Sequence, residues 1–371
     1  MRKWTDIHTS EDARRIAKKY LPWMVFDYID GAAGNGLGDA LNRQAIREIR
    51  LQTRILIDVE KRSIKKPFFG LDCQLPFGIS PMGMCNLSCP GADLMLARFA
   101  AKHNIPIGAS TAASTTLENI AKAAEGAAWF QLYFGGDEAV CDGLIGKAEQ
   151  AGYETLIFTV DVPEVGRRPR ELRHGFKMPF KIGPQQFFDF ALHPQWSIST
   201  LRSGVPQLAN FESGNSSFDR TRSRAGVSWA FLDRIREKWK GKLIVKGVLH
   251  ADDAKRLVEH GVDGIQVSSH GGRQLDSVQC AIHALAKIRK AVGVDVPLIY
   301  DSGIRSGEDI CKAYALGADF VMLGRPLLFA MAAGGEKGLH RLCDVIAQEI
   351  SIALAQMGLK DIDQLDSSVL L

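Results

Sequence analysis

The chain has 371 residues, of which 46% are hydrophobic, so it can bury a sizeable core in one large domain or two ordinary ones. Its 46 basic and 42 acidic residues leave a formal charge of only +4, which gives no reason to expect a nucleic-acid partner. Seven cysteines without zinc-ligand spacing indicate reduced thiols and no metal site. Neither a secretory signal nor a run of ~18 apolar residues is present, which predicts a cytoplasmic protein.

The first 70 residues are expected to form a helical lead-in. The stretches "LPWMVFDYI" and "ALNRQAIREIRL" both carry apolar residues at helical spacing. A doubly wound open sheet is the architectural alternative to the fold predicted below. It is disfavoured because "GNGLG" at residues 34–38 has the wrong glycine spacing for a dinucleotide fingerprint and follows no strand.

From residue 77 onward, short apolar runs alternate with helical stretches. The eight runs begin at Phe77, Ile105, Ala128, Thr155, Leu243, Gly264, Val296 and Phe320. Helix starts are expected at Thr115 with Glu118, at Asp252, and at Ser306 with Asp309, because these side chains can cap backbone amides. Continuous apolar strands in strand–helix repeats predict an α/β fold, a (β/α)8 TIM barrel over residues 77–335. We expect one domain spanning residues 1–371.

One interval between strands is much longer than the others, with 88 residues between the starts at Thr155 and Leu243. An insertion at residues 166–226 is therefore expected after strand 4, and residues 336–371 are expected to form a closing helix. The insertion contains ten Lys and Arg against four Asp and Glu, and its aromatic part reads "FKMPFKIGPQQFFDFALHPQWSI". This composition favours a segment lying on an anionic lipid surface. A lid over the active site is the alternative.

In barrels of this kind the reactive groups lie at the carboxyl ends of the strands. Polar or charged side chains occur at nearly all of these ends. The residues at the ends are Pro81, Met82, Gly83, Ser110, Gln131, Tyr133, Thr159, Asp161, Lys246, Ser268, His270, Arg273, Asp301, Gly303 and Gly324. The glycine-rich ends "DSGIRSGED" and "LGRP" add Arg305 and Arg325 at the usual phosphate position. They predict a phosphate-bearing ligand. The alternative is that these residues are only turn glycines beside solvated arginines, which would give the same sequence pattern.

These motifs resemble the FMN-dependent 2-hydroxy acid oxidising family, which includes glycolate oxidases, L-lactate dehydrogenases and (S)-mandelate dehydrogenases. The resemblance runs from "LPWMVFDYIDGAA" through "WFQLY", "TVDVPEVGRR", "LIVKGV" and "SSHGGRQLD" to "DSGIRSGEDICKAYALGADFVMLGRP". "LHPQWS", "PQLANF" and the "STA" at residues 110–112 are most similar to the mandelate dehydrogenase subgroup. The resemblance implies FMN-dependent oxidation of a mandelate-like or lactate-like (S)-2-hydroxy acid to the 2-keto acid, in a homotetramer.

The resemblance assigns the catalytic base to His270. This residue would take a proton from the substrate hydroxyl or, in the alternative carbanion account, from the α-carbon, while two electrons pass to flavin N5. Asp161 would lie beside the imidazole and stabilise its cation, and Tyr133 would lie near the substrate hydroxyl. Taken alone, a single histidine is more often structural.

The resemblance assigns the substrate carboxylate to Arg168 and Arg273, because a planar guanidinium can donate two parallel hydrogen bonds. Tyr28 would reach the same carboxylate from the amino-terminal segment. The flanking Arg167 and Arg170 are expected to be solvated.

The resemblance also implies which residues bind FMN. Lys246 would place its cation against flavin N1 and O2, where reduction leaves negative charge. Ring contacts are expected from Pro81, Met82, Gly83, Ser110, Gln131, Thr159 and Ser268, and ribityl and phosphate contacts from Asp301, Ser302, Gly303, Arg305, Gly324 and Arg325.

Some positions depart from the family's common pattern. Ser269 stands where many members have asparagine, and Ala112 stands where glycolate oxidases have tryptophan over the substrate. The small Ala112 predicts a wide substrate pocket. Gly83 stands where oxidases often have alanine, which favours a dehydrogenase over an oxidase.

Several alternatives remain open at this point. The electron acceptor is either a quinone or oxygen, and residues 176–226 provide either a contact with an anionic membrane or a lid. A membrane contact would attach the protein peripherally to the inner face of the cytoplasmic membrane. The alternative functions are an oxygen-using oxidase or monooxygenase, a peptide-maturing relative that oxidises an amine, a flavin-free phosphate-binding barrel isomerase, and a non-catalytic flavoprotein recruited to membranes.

Overall fold

A computed structural model describes residues 4–176, 180–211 and 224–371. Eight parallel strands close into a barrel in chain order. The strands are β1 Phe77–Ile79, β2 Ile107–Ser110, β3 Ala128–Tyr133, β4 Thr155–Thr159, β5 Lys242–Val248, β6 Gly264–Val267, β7 Leu298–Tyr300 and β8 Phe320–Leu323. The strands are almost wholly buried, so their sequences are continuously apolar rather than alternating. The predicted TIM barrel, with its helical lead-in and insertion after strand 4, is confirmed.

Helices precede, surround and follow the barrel. Those before it are α1 Ser10–Tyr20, α2 Trp23–Asp30 and α3 Leu37–Glu48. The helices after β1 to β4 are α4 Ala92–His103, α5 Leu117–Ala124, α6 Glu138–Gln150, α7 Pro169–Arg173, α8 Pro184–Leu192, α9 Pro194–Ser203 and α10 Trp229–Lys238. The remaining helices are α11 Ala251–Glu259, α12 Ala281–Val292, α13 Gly307–Ala315 and α14 Arg325–Met357. None of the helices in these described ranges combines the length and apolar character needed to cross a membrane.

The predicted helix starts agree with the structure only in part. Ser306 caps α13 and Asp309 bonds back to it, as the sequence predicts. The cap predicted at Thr115 was wrong by one residue, because the hydroxyl of Thr116 accepts the backbone N–H of Asn119 at 3.4 Å. Two adjacent threonines offer the same chemistry, and only the backbone conformation selects between them.

Two other boundaries also differ from expectation. The cap predicted at Asp252 was wrong, because His250 caps α11 by accepting the backbone N–H of Asp252 on Nδ1. The last helix begins before residue 336, at Arg325, and ends at Met357 rather than reaching residue 371. It is interrupted at Gly335, whose φ of 60° lies in the region that glycine adopts without strain.

The amino-terminal helices reach the barrel through α14. The guanidinium of Arg341 donates from Nε to the backbone oxygen of Ile7 at 2.9 Å, and the rings of Phe26 and Phe329 stack with centroids 6.2 Å apart. Helix α2 therefore lies at the carboxyl end of the barrel, where it brings Tyr28 to the central cavity.

The insertion packs against α2 through Asp189 of α8. Pro22 precedes α2 and offers no side-chain cap, so the first amides of α2 need another acceptor. The carboxylate of Asp189 accepts the backbone N–H groups of Trp23 at 2.9 Å and Met24 at 3.2 Å. Asp189 is only 3% exposed. The insertion thus completes the helix that carries Tyr28.

We predict that Asp189→Ala lowers the free energy of unfolding by about 0.5–2 kcal/mol, the usual value of a helix cap. The loss arises because two amides at the start of α2 would be left without an acceptor. Urea unfolding followed by circular dichroism measures it. Asp189→Asn keeps one carbonyl oxygen and should lose less. Equal midpoints for the wild type and Asp189→Ala would contradict the capping role.

Candidate active site

A cavity of about 1260 Å³, including its open mouth, lies at the carboxyl ends of the strands. Most of the residues predicted for the site line it: Tyr28, Pro81, Met82, Gly83, Ser110, Ala112, Tyr133, Arg168, Lys246, His270, Arg273, Asp301, Ser302, Gly303, Arg305, Gly324 and Arg325. The structure thus brings together residues from all parts of the chain.

The imidazole of His270 lies between a carboxylate and a phenol. Its Nδ1 is 3.0 and 3.2 Å from the two carboxylate oxygens of Asp161, and its Nε2 is 3.3 Å from the Tyr133 hydroxyl. The carboxylate fixes Nδ1 as the protonated nitrogen, so Nε2 is the basic atom on the cavity side. This arrangement can accept a proton from a bound molecule and stabilise the resulting cation.

A strained turn presents His270 to the cavity. His270 has a φ of 54°, and the glycines that follow, Gly271 and Gly272, have φ values of 62° and 73°. The two glycines adopt this conformation without the cost that a β-carbon would add. The hydroxyl of Ser302 accepts the N–H groups of Ser269 and Gly271 at 3.0 and 3.1 Å. The loop is therefore supported from β7, independently of the Ser269 side chain.

Burial lowers the pKa of His270 below its ordinary value, while Asp161 raises it in part and the charge of Lys246 lowers it further. The imidazole is accordingly neutral at neutral pH and can act as a base. Burial disfavours the charged form of Asp161, but His270 and Lys246 together bring its pKa below the ordinary value. Asp161 thus remains a carboxylate that can stabilise an imidazolium.

Arg168 and Arg273 line one end of the cavity side by side, as expected for a pair that binds one carboxylate. Arg168 donates from Nε to the backbone oxygen of Arg273 at 3.2 Å. Glu171, which the sequence analysis did not single out, accepts from Arg273 at 3.0 Å and from Arg168 at 3.3 Å. A carboxylate three residues after an arginine is a weak signal, because such pairs are common on helix surfaces.

The expectation that Arg170 is solvated holds only in part, because its side chain is 40% exposed but is also ion-paired. Its guanidinium forms ion pairs with Asp27 and with Asp30, the latter at 2.8 Å. Both carboxylates belong to α2, and their side chains are only 8% and 9% exposed, so they require a cation. Arg14 also donates to Asp30 at 2.6 Å. Arg170 therefore ties the start of the insertion to the helix that carries Tyr28.

Lys246 provides a buried cation on the cavity floor. It is only 3% exposed, and its Nζ lies 2.9 Å from the Ser268 hydroxyl and 3.5 Å from Asp301. The carboxylate of Asp301 also accepts from Ser80 at 3.0 Å and from Gln266 at 2.7 Å. The ammonium is thus held in place and can face negative charge that develops on a bound group.

A short chain of polar side chains continues this floor across three strands. The Ser110 hydroxyl donates to Gln131, and the amide of Gln131 donates to Thr159, both at 3.0 Å. Gln131 and Thr159 are buried just below the lining residues rather than among them. Gln131 and Thr159 thereby orient groups that do reach the cavity, such as Ser110.

A second basic part of the cavity is suited to an anion. Arg305 and Arg325 both line it, beside Gly303 and the amino terminus of α14 at Gly324. The structure adds Asp39 of α3, whose carboxylate lies 3.0 Å from Arg325 and 3.4 Å from Arg305. Burial, and then the neighbouring Arg325, lower the pKa of Arg305 to about 10, and Asp39 opposes that effect.

These features fit the FMN predicted from the sequence. A phosphate would find two guanidinium groups and a helix amino terminus at one end. An isoalloxazine ring would find the backbone of Pro81–Gly83, with the buried Lys246 cation for its pyrimidine side. Asp301 and Ser302 line the cavity in between and carry the polar atoms that a ribityl chain needs.

Arg224 also lines the cavity and was considered in the sequence analysis only as part of the basic charge of the insertion. It is 6% exposed, and its guanidinium carbon lies 5.7 Å from the centre of the Tyr133 ring. Its backbone N–H donates to Pro163 at 3.2 Å, which places the end of the insertion against the loop after β4. In the sequence, Arg224 is one of ten basic residues in the insertion, and nothing near it indicates that it lines the cavity.

Comparison with known proteins agrees with this site. Residues 17–371 match the family described as FMN-dependent dehydrogenase. The chain is 39% identical to (S)-mandelate dehydrogenase of Pseudomonas putida, covering 97% of this chain and 93% of that protein. It is 37% identical to an L-lactate dehydrogenase of Pectobacterium atrosepticum, with coverage of 98% and 97%.

A solved structure described as the monotopic membrane protein (S)-mandelate dehydrogenase superposes with a TM-score of 0.94 at 38% identity, covering 99% of both chains. A mandelate oxidase structure superposes with a TM-score of 0.81 at 33% identity, covering 96% of both chains.

Proposed function

Because this chain belongs to the FMN-dependent dehydrogenase family and is an FMN enzyme that oxidises (S)-2-hydroxy acids, we propose that His270 is its catalytic base. The observation that carries the proposal is the position of its Nε2. This atom lies in the same cavity as the arginine pair and within 3.3 Å of the Tyr133 hydroxyl, while Nδ1 is held by Asp161. The proposed substrates are mandelate-like or lactate-like acids.

FMN supplies the two-electron oxidant when it is bound. Lys246 and Ser110 would hold its ring, with Gln131, Thr159 and Ser268 behind them. Asp301 and Ser302 would hold the ribityl chain, and the phosphate would bind at Gly303, Arg305, Gly324 and Arg325.

Arg168 and Arg273 bind and orient the substrate carboxylate in this proposal. Two fixed guanidinium groups leave a bound 2-hydroxy acid little rotational freedom, which brings its hydroxyl and α-carbon to one position. Tyr28 lines the same end of the cavity, and the Arg273 guanidinium lies 5.5 Å from the centre of its ring.

His270 then accepts a proton on Nε2, from the substrate hydroxyl or, in the alternative account, from the α-carbon. Asp161 stabilises the imidazolium that forms, and Tyr133 can hydrogen-bond the substrate oxygen. A positioned base of this kind typically contributes ~10²- to 10⁴-fold to the rate.

Small side chains leave room for the substituent on the α-carbon. Both Ala112 and Gly83 line the cavity. This space supports an aromatic or branched substituent. We favour a dehydrogenase, and an oxygen-using oxidase is the second candidate because the fold is also shared with a mandelate oxidase.

We extend the proposal to attachment of the insertion to a membrane surface. An apolar patch on and around α8 and α9 is formed by Ile182, Phe187, Phe188, Leu192, Ile198, Leu201 and Val205, all of them exposed. The exposed cations Lys181 and Arg202 lie beside it in the sequence. Exposed apolar side chains bordered by cations suit an anionic lipid surface. Residues 177–179 and 212–223 of the predicted segment lie outside the described residues.

Aromatic rings connect α8 and α9, the helices that carry this patch, with the active site. Tyr28 stacks on Phe176 with centroids 4.4 Å apart, and contacts of 5.6 to 6.4 Å continue through Phe180 to Phe190 and Trp196. This packing supports a membrane quinone as electron acceptor. We propose that the protein attaches to the inner face of the cytoplasmic membrane. The proposed single domain over residues 1–371 and homotetramer rest on the family resemblance.

We predict that (S)-2-hydroxy acids bleach the FMN absorbance of the purified protein without oxygen, and that His270→Ala keeps the colour but slows bleaching by about 10²-fold or more. Stopped-flow absorbance measures both, with the exposed His283→Ala as a control that should bleach normally. Reoxidation by air or by a quinone then identifies the acceptor. Normal bleaching of His270→Ala would remove the histidine from its role.

We predict that Asp161→Asn shifts the acid limb of kcat/KM to lower pH. His270 acts as a base only when neutral, so activity falls as pH decreases through its pKa. Asp161 raises that pKa, and its removal lets burial lower it further. The plateau rate should also decrease, by up to about 10⁴-fold, because the imidazolium loses its partner. A pH–rate profile tests this, and an acid limb that moves upward would contradict it.

We predict that replacing Phe187 and Phe188 together by serine reduces binding to vesicles of mixed phosphatidylcholine and phosphatidylglycerol by about tenfold or more. Each phenyl group that enters the lipid contributes to the free energy of binding. Flotation measures the bound fraction. The exposed Val294→Ser is the control and should bind like the wild type. Wild-type protein that does not bind such vesicles would favour the lid interpretation.

A further inference from the structure

Glu171 is a buried carboxylate at the active site to which the mechanism above gives no role. It lies on the short helix α7 and is 8% exposed. It does not line the cavity, so it lies behind the two arginines and would not meet a bound substrate directly. One of its oxygens, Oε1, accepts from Nη2 of Arg273 at 3.0 Å and from Nη1 of Arg168 at 3.3 Å.

The other contacts of the arginine pair show what Glu171 completes. Arg273 donates from Nη1 to the backbone oxygens of Tyr28 at 2.9 Å and Gly31 at 2.8 Å, at the end of α2. Arg168 donates from Nε to the backbone oxygen of Arg273 at 3.2 Å. Each guanidinium is thus fixed at two or more of its donors, and Glu171 is the one acceptor in these contacts that both share. Three segments of the chain thus meet at the arginine pair.

Glu171 also sets the net charge of the arginine pair. Two guanidinium groups beside one carboxylate leave a single net positive charge, which matches the single carboxylate of a 2-hydroxy acid. Burial, and then the neighbouring Arg168, lower the pKa of Arg273 to about 10, and the carboxylate of Glu171 opposes that effect. Without Glu171, two buried cations would repel each other at close range.

We propose that Glu171 is a positioning residue that holds Arg168 and Arg273 at a fixed orientation and sets their net charge for a substrate with one carboxylate. This inference rests on the proposed function, because it assumes that the pair binds the substrate carboxylate. It assigns Glu171 a part in charge selectivity in addition to any part in folding.

Oxalate and oxamate are suitable probes, because they have nearly the same shape but carry two negative charges and one, respectively. Their dissociation constants are measured by perturbation of the FMN spectrum in the FMN-loaded wild type, Glu171→Gln, Glu171→Asp and the exposed control Glu60→Gln. Glu171→Gln removes the charge and keeps an oxygen acceptor. Glu171→Asp keeps the charge and shortens the reach.

We expect Glu171→Gln to increase the preference for oxalate over oxamate by about fivefold or more, because the site gains one positive charge. Glu171→Asp should weaken both probes while keeping their ratio within about twofold of the wild type, and Glu60→Gln should change neither. An unchanged ratio in Glu171→Gln, or equal weakening of both probes, would reduce Glu171 to a structural residue and overturn the inference.

Failure of the proposed function would be visible separately. Probe binding requires no turnover, whereas the proposed function is tested by bleaching of the wild-type flavin with 2-hydroxy acids. A wild type that 2-hydroxy acids bleach, combined with an unchanged probe ratio in Glu171→Gln, rejects this inference alone. A wild type that no 2-hydroxy acid bleaches rejects the proposed function, and with it the carboxylate-binding role that the inference assumes.

Discussion

Five cationic side chains at the cavity are paired with carboxylates, and the rest of the site depends on that pairing. The pairs are Lys246 with Asp301, Arg273 and Arg168 with Glu171, and Arg305 and Arg325 with Asp39. An isolated buried charge is costly, so a cavity that collects this many basic groups requires acidic partners behind them. The carboxylates let the cations keep their charge while they face the ligand.

The partners come from segments that are far apart in the chain. Asp39 belongs to the amino-terminal helix α3, Asp161 follows β4, Glu171 lies at the start of the insertion, and Asp301 follows β7. The barrel alone therefore does not make the site. The lead-in and the insertion are needed to hold the arginines that face the phosphate and the substrate carboxylate.

The insertion has a second connection with the site, through α2. Asp189 caps that helix, Arg170 pairs with two of its carboxylates, and Phe176 stacks on Tyr28. A segment that carries exposed apolar side chains on one surface thus packs on its other side against a helix that contributes to the cavity. The membrane and lid interpretations are compatible with the same contacts, since either would change the environment of Tyr28.

The position of the reactive groups along the chain could be predicted from the sequence. A parallel barrel brings the carboxyl ends of all its strands to one rim, so Lys246 at the end of β5 and His270 after β6 had to lie near each other. Ser306 and Asp309 were identified as a cap because their partners are within four residues. The resemblance to a known family then gave these residues their expected roles.

The sequence by itself determined the order of strands and helices, the rim on which the chemistry lies and the residue types that gather there, because each follows from local pattern and parallel topology. Only the tertiary structure decided which carboxylate meets which cation. Asp39 and Arg305 are 266 positions apart, and neither periodicity nor spacing reports a pairing over that distance. Asp39, Glu171, Asp189 and Arg224 look like ordinary charged residues in the sequence, and it is burial against a distant partner that distinguishes them.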